Sequence, residues 1–431
     1  MKLPLLLAFT ILLTGPAVCG AQTANSADQN ELIQSLVARI EQLERRLAEL
    51  EGPKVTPMPA ALTTTAATAP GQSPAEAFHA NMQAVQGGQV PLPEAQEIYP
   101  ALKIAGFSDV NFSATDQRGV RSGFTEGQFI LHLNSALSRK VSFLGEMSFT
   151  ARGDAGTGTP AAAGFNAEVE RTIVRFEHND YLKMSFGRYH TPINYWNTAY
   201  HHGQWLQTSV SRPEMTQFGG RFIPVHFVGG LLEGSLPAAG LNLNYNVGVG
   251  NGRGTVISRS GDAGDNNNNR AWLVNLFVKP DALYGLQIGG SAYRDKISLG
   301  GRDFKEWITS AHIVWNKEDP EVIAEFANVR HKEIDRPVAP SNSQAYYVQL
   351  GYRLPLAERL WKPYYRWEYI HVPRSAPVFQ VQPVANLAGS VVGFRYDLSD
   401  FAAIKFEYRN QRRAPGQPRI NGGFIQTSFT F

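Results

Sequence analysis

The side chains best suited to bind a small molecule gather in residues 191–225, the longest segment between predicted strands. Its hydrogen-bond donors are His201, His202, Arg212 and Arg221, and Glu214 is its only carboxylate. Large aromatic residues lie between them: Tyr195, Trp196, Tyr200, Trp205 and Phe218. Rings beside donors could stack a sugar or an organic anion while the donors bond to its oxygens. The rings also give the segment enough apolar surface to pack in a defined structure.

Metal binding is a weaker interpretation of the same residues. His201 and His202 are adjacent, so on a strand they would point apart, although on a loop both could ligate. The segment GDAGDNNNN, residues 261–269, is rich in side-chain oxygens but lacks the ligand spacing of a recognised calcium loop. A solvated loop is the simpler interpretation there. We therefore predict no metal and no cofactor, and leave calcium binding at residues 261–269 open.

A second chemical feature is a set of basic residues that alternation places on one face of the predicted strands. Arginine binds carboxylate and phosphate well because its planar fork is always charged. The set consists of Arg171, Arg175, Arg353, Lys362, Arg366, Arg395, Lys405 and Arg409. The same face carries seven acids, namely Glu126, Glu146, Glu177, Glu306, Glu325, Glu368 and Glu407. These charges either line a water-filled space, as we predict, or neutralise one another across neighbouring strands.

The sequence gives little support for catalysis or for nucleic-acid binding. His132 and Asn134 share a face, and Ser142 or Ser148 would lie on the next strand, but the match to a hydrolytic site is generic. The formal charge of +3 indicates neither a nucleic-acid partner nor an acidic surface. Mean hydropathy is −0.24, which argues against a helical membrane protein. We predict that the chain is not an enzyme.

The elements that must position these residues are strands. From residue 101, strands of about ten residues with period-two alternation are joined by connections that are short and long in turn. Short turns are predicted near residues 139–140, 179–180, 237–240, 279–284, 317–320, 355–359 and 397–400. Long loops are predicted near residues 115–122, 152–166, 191–225, 252–269, 294–303, 332–342, 374–386 and 412–421. Fifteen connections predict an all-β fold, a sixteen-stranded antiparallel transmembrane β-barrel over residues 101–431.

The last strand ends GGFIQTSFTF, with Phe429 and Phe431 on the same, mostly apolar face. This ending resembles the C-terminal signal by which outer-membrane barrels are recognised for insertion. The resemblance implies that barrel-assembly machinery is a partner. We expect this strand to close the barrel against the strand that begins near Leu102.

Three segments precede the predicted barrel. Residues 1–21 have the charged, apolar and small-residue regions of a signal peptide, and cleavage after Gly20 or Ala21 would remove Cys19, the only cysteine. A lipoprotein anchored through Cys19 is the alternative, although Val18 is bulky for such a signal. Residues 30–51 have the spacing of a coiled-coil seam, and the core residues leave two or three strands open. Residues 52–98 are a linker rich in proline, alanine and threonine.

The strand count, the terminal Phe431 and the long third loop resemble the sixteen-stranded bacterial porins over about residues 101–431. The N-terminal coiled coil resembles that of the phosphate-selective and dicarboxylate-type porins. This resemblance implies an outer-membrane trimer with one pore per subunit and the coiled coil in the periplasm. It also implies that residues 191–225 fold inward as a constriction; the alternative is a cap over the mouth. The solute class does not carry over.

We therefore predict a passive diffusion channel for small hydrophilic solutes in the bacterial outer membrane, surrounded by its lipids, with a weak anion preference. The alternative function is a structural anchor whose coiled coil tethers the membrane to the cell wall.

Overall fold

The computed structural model describes residues 99–431, apart from Gly220, Ser260 and Pro415. The predicted signal peptide (1–21), coiled coil (30–51) and linker (52–98) lie outside the described residues. No helix among the described residues is long and apolar enough to cross a membrane.

Sixteen antiparallel strands of 8 to 15 residues form one closed barrel in the described part of the chain. They are β1 (Ala101–Thr115), β2 (Gly123–Ala136), β3 (Val141–Ala151), β4 (Phe165–Asn179), β5 (Leu182–His190), β6 (His226–Leu236), β7 (Leu243–Asn251), β8 (Ala271–Val278), β9 (Leu286–Leu299), β10 (Arg302–Trp315), β11 (Glu321–Glu333), β12 (Ser341–Gly351), β13 (Trp361–His371), β14 (Leu387–Ser399), β15 (Ala402–Arg412) and β16 (Ile420–Thr430). Two short helices lie in loops, α1 (Trp196–Ala199) and α2 (Pro377–Val381). The predicted barrel of sixteen strands is confirmed.

One predicted connection is wrong. Residues 294–303 do not form a long loop, because β9 continues to Leu299 and β10 begins at Arg302. Gly300 and Gly301 make the turn between them with φ values of 59° and 73°. Two residues with positive φ suit the tight hairpin turns that match strand twist, and glycine adopts this conformation without steric cost. The charged residues of the segment lie in the two strands.

The side chains alternate between a polar interior and an apolar exterior. In β13, Trp361 and Tyr365 face outward and remain exposed, whereas Lys362 and Arg366 face inward and are buried. The same alternation holds in β15, where Lys405 is buried and Tyr408 is exposed. The predicted facing of these strands is therefore confirmed. The buried part of the molecule is the barrel interior itself.

The last strand closes the barrel against the first, as the sequence predicts. β16 pairs with β1, and the pairing extends one residue further because Gly106 and Phe431 exchange two backbone hydrogen bonds of 2.9 and 3.1 Å. The ring of Phe431 stacks on Phe129 at 5.6 Å between centroids. Gly106 makes room for this ring, since a Cβ there would lie 2.5 Å from Cζ of Phe431 and 2.5 Å from the carbonyl oxygen of Ile130.

We expect Gly106→Ala to lower the free energy of unfolding by about 1–3 kcal/mol, because the added methyl group overpacks the seam between β1 and β16. Urea titration of the folded barrel, followed by tryptophan fluorescence, measures the change. Gly423→Ala is the matched control, because Gly423 lies in the same strand pair and has no atom within 4 Å of an added Cβ. Equal stability of the two variants would contradict the role given to Gly106.

Candidate functional site

The connection between β5 and β6, residues 191–225, lies inside the barrel and crosses it. Trp196 in α1 and Trp205 after it are fully buried. The backbone amides of Tyr195 and Trp196 donate to Oε1 of Glu325 at 2.8 and 2.6 Å. Glu325 lies on β11, five strands away from β6 along the barrel wall. The segment is therefore an inward loop, and the name is used below for residues 191–225.

Wall carboxylates hold the far end of the inward loop through its backbone amides. Oε2 of Glu407 on β15 accepts from the amides of Val210 and Ser211 at 3.1 and 3.0 Å. Oε2 of Glu368 on β13 accepts from the amide of Glu214 at 2.7 Å. Loop amides that would otherwise be buried without partners are satisfied in this way.

Wall cations bind the carbonyl groups of the same loop. Arg366 donates to the carbonyl oxygen of Ser211 at 2.9 Å and to Oγ of Ser209 at 2.9 Å. Arg395 donates to the carbonyl oxygen of Trp205, and Lys405 donates to that of Gln204. Acidic side chains of the wall thus accept from amides of the inward loop, and basic side chains of the wall donate to its carbonyl groups.

The eight basic residues predicted to line open water require a correction. Seven of them are buried, and Arg409 is partly buried. Arg353 lies in the connection between β12 and β13, not on a strand. Seven are ion-paired: Arg171 with Glu146, Arg175 with Glu233, Arg353 with Glu318, Lys362 with Glu321, Arg366 with Glu368, Arg395 with Asp397 and Arg409 with Glu407. Mutual neutralisation, the alternative left open by the sequence, describes these seven charges, whereas Lys405 bonds to carbonyl groups of the inward loop.

The structure does not bring all the polar residues of the inward loop to one place. His201 and His202 are fully buried, and Arg212 is buried with its guanidinium 3.9 Å from the ring centre of Phe218. Glu214 pairs instead with Arg413 of the β15–β16 connection at 2.6 Å. Arg221 is exposed and donates to the carbonyl oxygen of Pro383 in another loop at 3.1 Å. Tyr195, Trp196, His201, His202, Trp205 and Arg212 therefore form the part of the predicted constriction that lies within the barrel.

The structure brings two further histidines to His201 and His202. His190 ends β5, His226 begins β6, and the two residues are directly paired across the hairpin. One ligand atom from each of the four rings lies within 4.8 Å of the others. Burial and the neighbouring imidazoles lower the pKa of His201 below its ordinary value. The sequence contained a signal for this group, since His190 and His226 flank the inward loop on either side.

A β-bulge adds Glu170 to the same region. The β3–β4 pairing shifts register between Glu146 and Met147, where Arg171 pairs with Glu146 and Val169 pairs with Met147. Glu170 is the extra residue, so both Glu170 and Arg171 are buried inside the barrel. Strict alternation places only one of two consecutive side chains inside the barrel. The sequence predicted Arg171 there and therefore missed Glu170.

Two of the four residues considered for hydrolysis, His132 and Ser148, are bonded to carboxylates. Nε2 of His132 lies 2.7 Å from Oε1 of Glu146, and Oγ of Ser148 donates to Oε1 of Glu170 at 2.8 Å. These contacts do not form a nucleophile and its base.

In residues 261–269, which we considered for calcium, Asp265 pairs with Arg270 at 2.7 Å and Asn267 donates to the carbonyl oxygen of Lys296 at 2.8 Å. Two of the candidate side chains therefore hold their own loop in place.

We expect Glu407→Ala to lower the free energy of unfolding by about 3–5 kcal/mol, because it removes the acceptor of two loop amides and the buried partner of Arg409. Hydrogen exchange at Val210 and Ser211 should accelerate while exchange in the strands stays slow. The control is Glu126→Ala, since Glu126 is exposed although alternation placed it inward, and we expect a change within about 0.5 kcal/mol. Unchanged exchange at Val210 and Ser211 would contradict the assigned role of Glu407.

The fold is shared with solved outer-membrane proteins of low sequence identity. OmpF of Salmonella typhi, in complex with daunomycin, has a TM-score of 0.53 and 11% identity, covering 78% of this chain and 100% of that chain. The outer membrane channel DcaP of Acinetobacter baumannii has a TM-score of 0.52 and 12% identity, covering 78% and 99%. The trimer form of OmpT, an outer membrane protein of Vibrio cholerae, has a TM-score of 0.50 and 12% identity, covering 77% and 99%.

No protein-family model matches the chain, and no curated protein sequence matches it. At these identities the structural likeness establishes the fold alone: the chain has the sixteen-stranded β-barrel of bacterial outer-membrane porins.

Proposed function

We propose that this protein is a passive diffusion channel of the bacterial outer membrane for small hydrophilic solutes. One observation carries the proposal: a closed barrel with an apolar exterior and a charged interior is crossed by a loop that the wall holds at several points. The loop sets the size of the passage, and the barrel performs no bond chemistry.

The exterior supports a location in lipid. Outward side chains such as Phe186, Leu232, Val249 and Leu276 are exposed on neighbouring strands. A continuous apolar surface of this kind favours contact with lipid or protein over contact with water. The strands also satisfy their backbone groups by pairing around a complete ring, which is the condition for crossing the hydrocarbon core. We therefore propose outer-membrane lipids as the surroundings of the barrel.

The interior favours a channel over a structural anchor. Burying ion pairs is costly, and replacing them with well-packed apolar side chains is often neutral or stabilising. A barrel that served only to anchor a tether would gain nothing from the many charged residues beneath the inward loop. The charged side chains instead hold the inward loop across the interior, as Arg366 does at Ser211 and Glu407 at Val210, and a fixed loop of this kind suits a passage that limits solute size.

A few inward-facing charges determine the ion selectivity that we propose. Arg212 bonds to the carbonyl of His201, and Lys405 bonds to loop carbonyls and to Gln426, so the bonds of these two cations do not involve carboxylates. Asp109 and Glu325 offset them in part, since both accept backbone amides. The remaining charges are largely paired, and the anion preference that we propose is therefore weak.

Assembly is proposed from the sequence and from the fold. The seam over residues 30–51 is proposed to form a periplasmic coiled coil that holds three subunits together. OmpT of Vibrio cholerae, which shares the fold, is described in a trimer form. Phe429 and Phe431 face outward at the end of the barrel and are proposed as the signal read by the assembly machinery.

We expect the purified protein to give regular conductance steps in planar bilayers, and we expect the steps to grow severalfold when residues 197–217 are replaced by a short Gly-Ser linker. The control deletes residues 154–162 of the exposed β3–β4 loop and should leave the steps unchanged. In a salt gradient the reversal potential should show a small anion preference. Absence of steps in the wild type would favour the anchor, and a clear cation preference would contradict the selectivity proposal.

We expect deletion of residues 30–51 to reduce the heat resistance of the oligomer, because a short coiled coil is stable only with its partner strands. Gel electrophoresis of unheated and progressively heated samples measures the change. Deletion of residues 54–75 in the predicted linker is the control and should leave the oligomer band unaffected. Equal heat resistance after both deletions would show that contacts between barrels are sufficient.

A further inference from the structure

Four imidazole rings meet where the inward loop leaves and rejoins the wall. His190 and His226 are paired across the last rung of the β5–β6 hairpin, and His201 and His202 reach them from the loop. The ring centres of His190 and His201 lie 3.8 Å apart, and those of His201 and His226 lie 4.9 Å apart. The group is called the histidine cluster below. It joins two strands of the wall to the loop that crosses the interior.

Some nitrogen atoms of the histidine cluster are buried without hydrogen-bond partners. Among the described residues, neither Nδ1 of His190 nor Nε2 of His201 makes a hydrogen bond, although His190 is 4% exposed and His201 is fully buried. A buried polar atom without a partner costs free energy, and such atoms in native structures call for an explanation such as an ion. Apolar side chains in place of the four histidines would avoid this cost.

Neighbouring amides orient the two loop histidines as metal ligands require. Nδ1 of His201 lies 3.2 Å from Oδ1 of Asn197, and Nδ1 of His202 lies 3.2 Å from Oε1 of Gln128. The assignment of Oδ1 is supported because Nδ2 of Asn197 donates to the carbonyl oxygens of Thr191 and Val225. With its proton on Nδ1, His201 presents the lone pair of Nε2 for coordination. Metal-bound histidines are usually held through their second nitrogen in this way.

We propose that the histidine cluster binds one divalent transition-metal ion of the zinc class and that this ion fastens the inward loop to the barrel wall. Tetrahedral zinc with Zn–N bonds of about 2.1 Å separates its ligand nitrogens by about 3.4 Å. The ligand atoms of the histidine cluster lie within 4.8 Å of one another, so small side-chain rotations bring them to that spacing. Imidazole suits zinc, copper, nickel and iron, whereas calcium and magnesium prefer oxygen. The inference does not depend on the channel proposal.

Glu170 belongs to the proposed site with His226. Nε2 of His226 lies 3.0 Å from Oε2 of Glu170, and Nε2 of His202 lies 3.5 Å from Oε1. Because Arg188 lies 3.2 Å from Nδ1 of His226 and acts as a donor, Nε2 of this ring carries the proton that faces Glu170. Either His226 changes tautomer when the ion binds, or the carboxylate takes the fourth position. In both cases Glu170 contributes negative charge next to the ion.

The surrounding charges are balanced and do not exclude a cation. Glu146 lies 3.4 Å from Nε2 of His190 and is paired with Arg171 at 2.5 Å. Arg188 is paired with Asp262 at 2.9 Å, and Arg212 lies 3.5 Å from Nδ1 of His201. The ring of Phe218 stacks on His202 at 5.0 Å and is 38% exposed, so one aromatic side chain separates the histidine cluster from solvent. Displacement of this ring provides a route for the ion.

The test compares two variants that each lack two histidines. The full-length folded protein in detergent is stripped with a chelator, dialysed against Zn²⁺ and assayed for bound zinc by atomic emission. We expect one ion per chain in the wild type and in the control His178→Ala/His371→Ala, which removes exposed histidines. We expect His201→Ala/His202→Ala to lose the bound ion. Equal zinc content in all three proteins, or none in the wild type, would overturn the proposal.

Two further measurements keep the test decisive if the double variant folds poorly. Glu170→Gln should weaken zinc affinity by about 10–100-fold, the usual effect of removing a group that supports metal ligands, and unchanged affinity would overturn the assigned site. Co²⁺ bound to the wild type should give the intense visible absorption of a tetrahedral complex. A weak octahedral spectrum would indicate adventitious surface binding and would also overturn the proposal.

Discussion

Polar groups shielded from water must find partners within the protein, and the interior of this barrel depends on that requirement. The inward loop covers charged side chains on β3, β4 and β13 to β15, so neither the loop backbone nor the wall can rely on solvent. The wall supplies both kinds of partner. Glu325, Glu368 and Glu407 accept from loop amides, while Arg366, Arg395 and Lys405 donate to loop carbonyls. The path of the loop across the barrel follows from this complementarity.

The same requirement changes the role of the arginine residues that face the barrel interior. An arginine facing open water in a pore is available to a passing anion, but Arg366 bonds to Glu368 and to the loop at once. Its charge is compensated and its donors are occupied. Breaking such a pair would leave an uncompensated buried charge, which is strongly destabilising. Arg366 and Arg395 therefore hold the inward loop in position.

Wall and loop are joined most closely at the histidine cluster. The bulge at Glu170 turns an extra carboxylate inward, where it lies 3.0 Å from Nε2 of His226 at the start of β6. The loop leaves the wall after His190, returns before His226, and folds back so that His201 and His202 lie against both. A loop fixed at its root and at its far end is more rigid than one held at a single point. The geometry thus links the proposed metal site to the rigidity of the inward loop.

The amino-acid sequence by itself determined the number of strands, their facing and the closure of the barrel by the last strand. Period-two alternation and turn residues are local properties, so the facing of each side chain in β13 and β15 could be predicted from the sequence. Residues 294–303 were wrongly predicted to form a loop. Their charged residues and two glycines have the composition of a loop, although they belong to two strands joined by a tight turn at Gly300–Gly301.

Only the tertiary structure decided that Arg366 and Lys405 are buried, that Glu170 lies inside the barrel with Arg171, and that four histidines meet. Those outcomes depend on a register shift, on pairing between distant strands and on the path of a 35-residue loop. Interactions between residues far apart in the chain control all three, so the local pattern does not decide them.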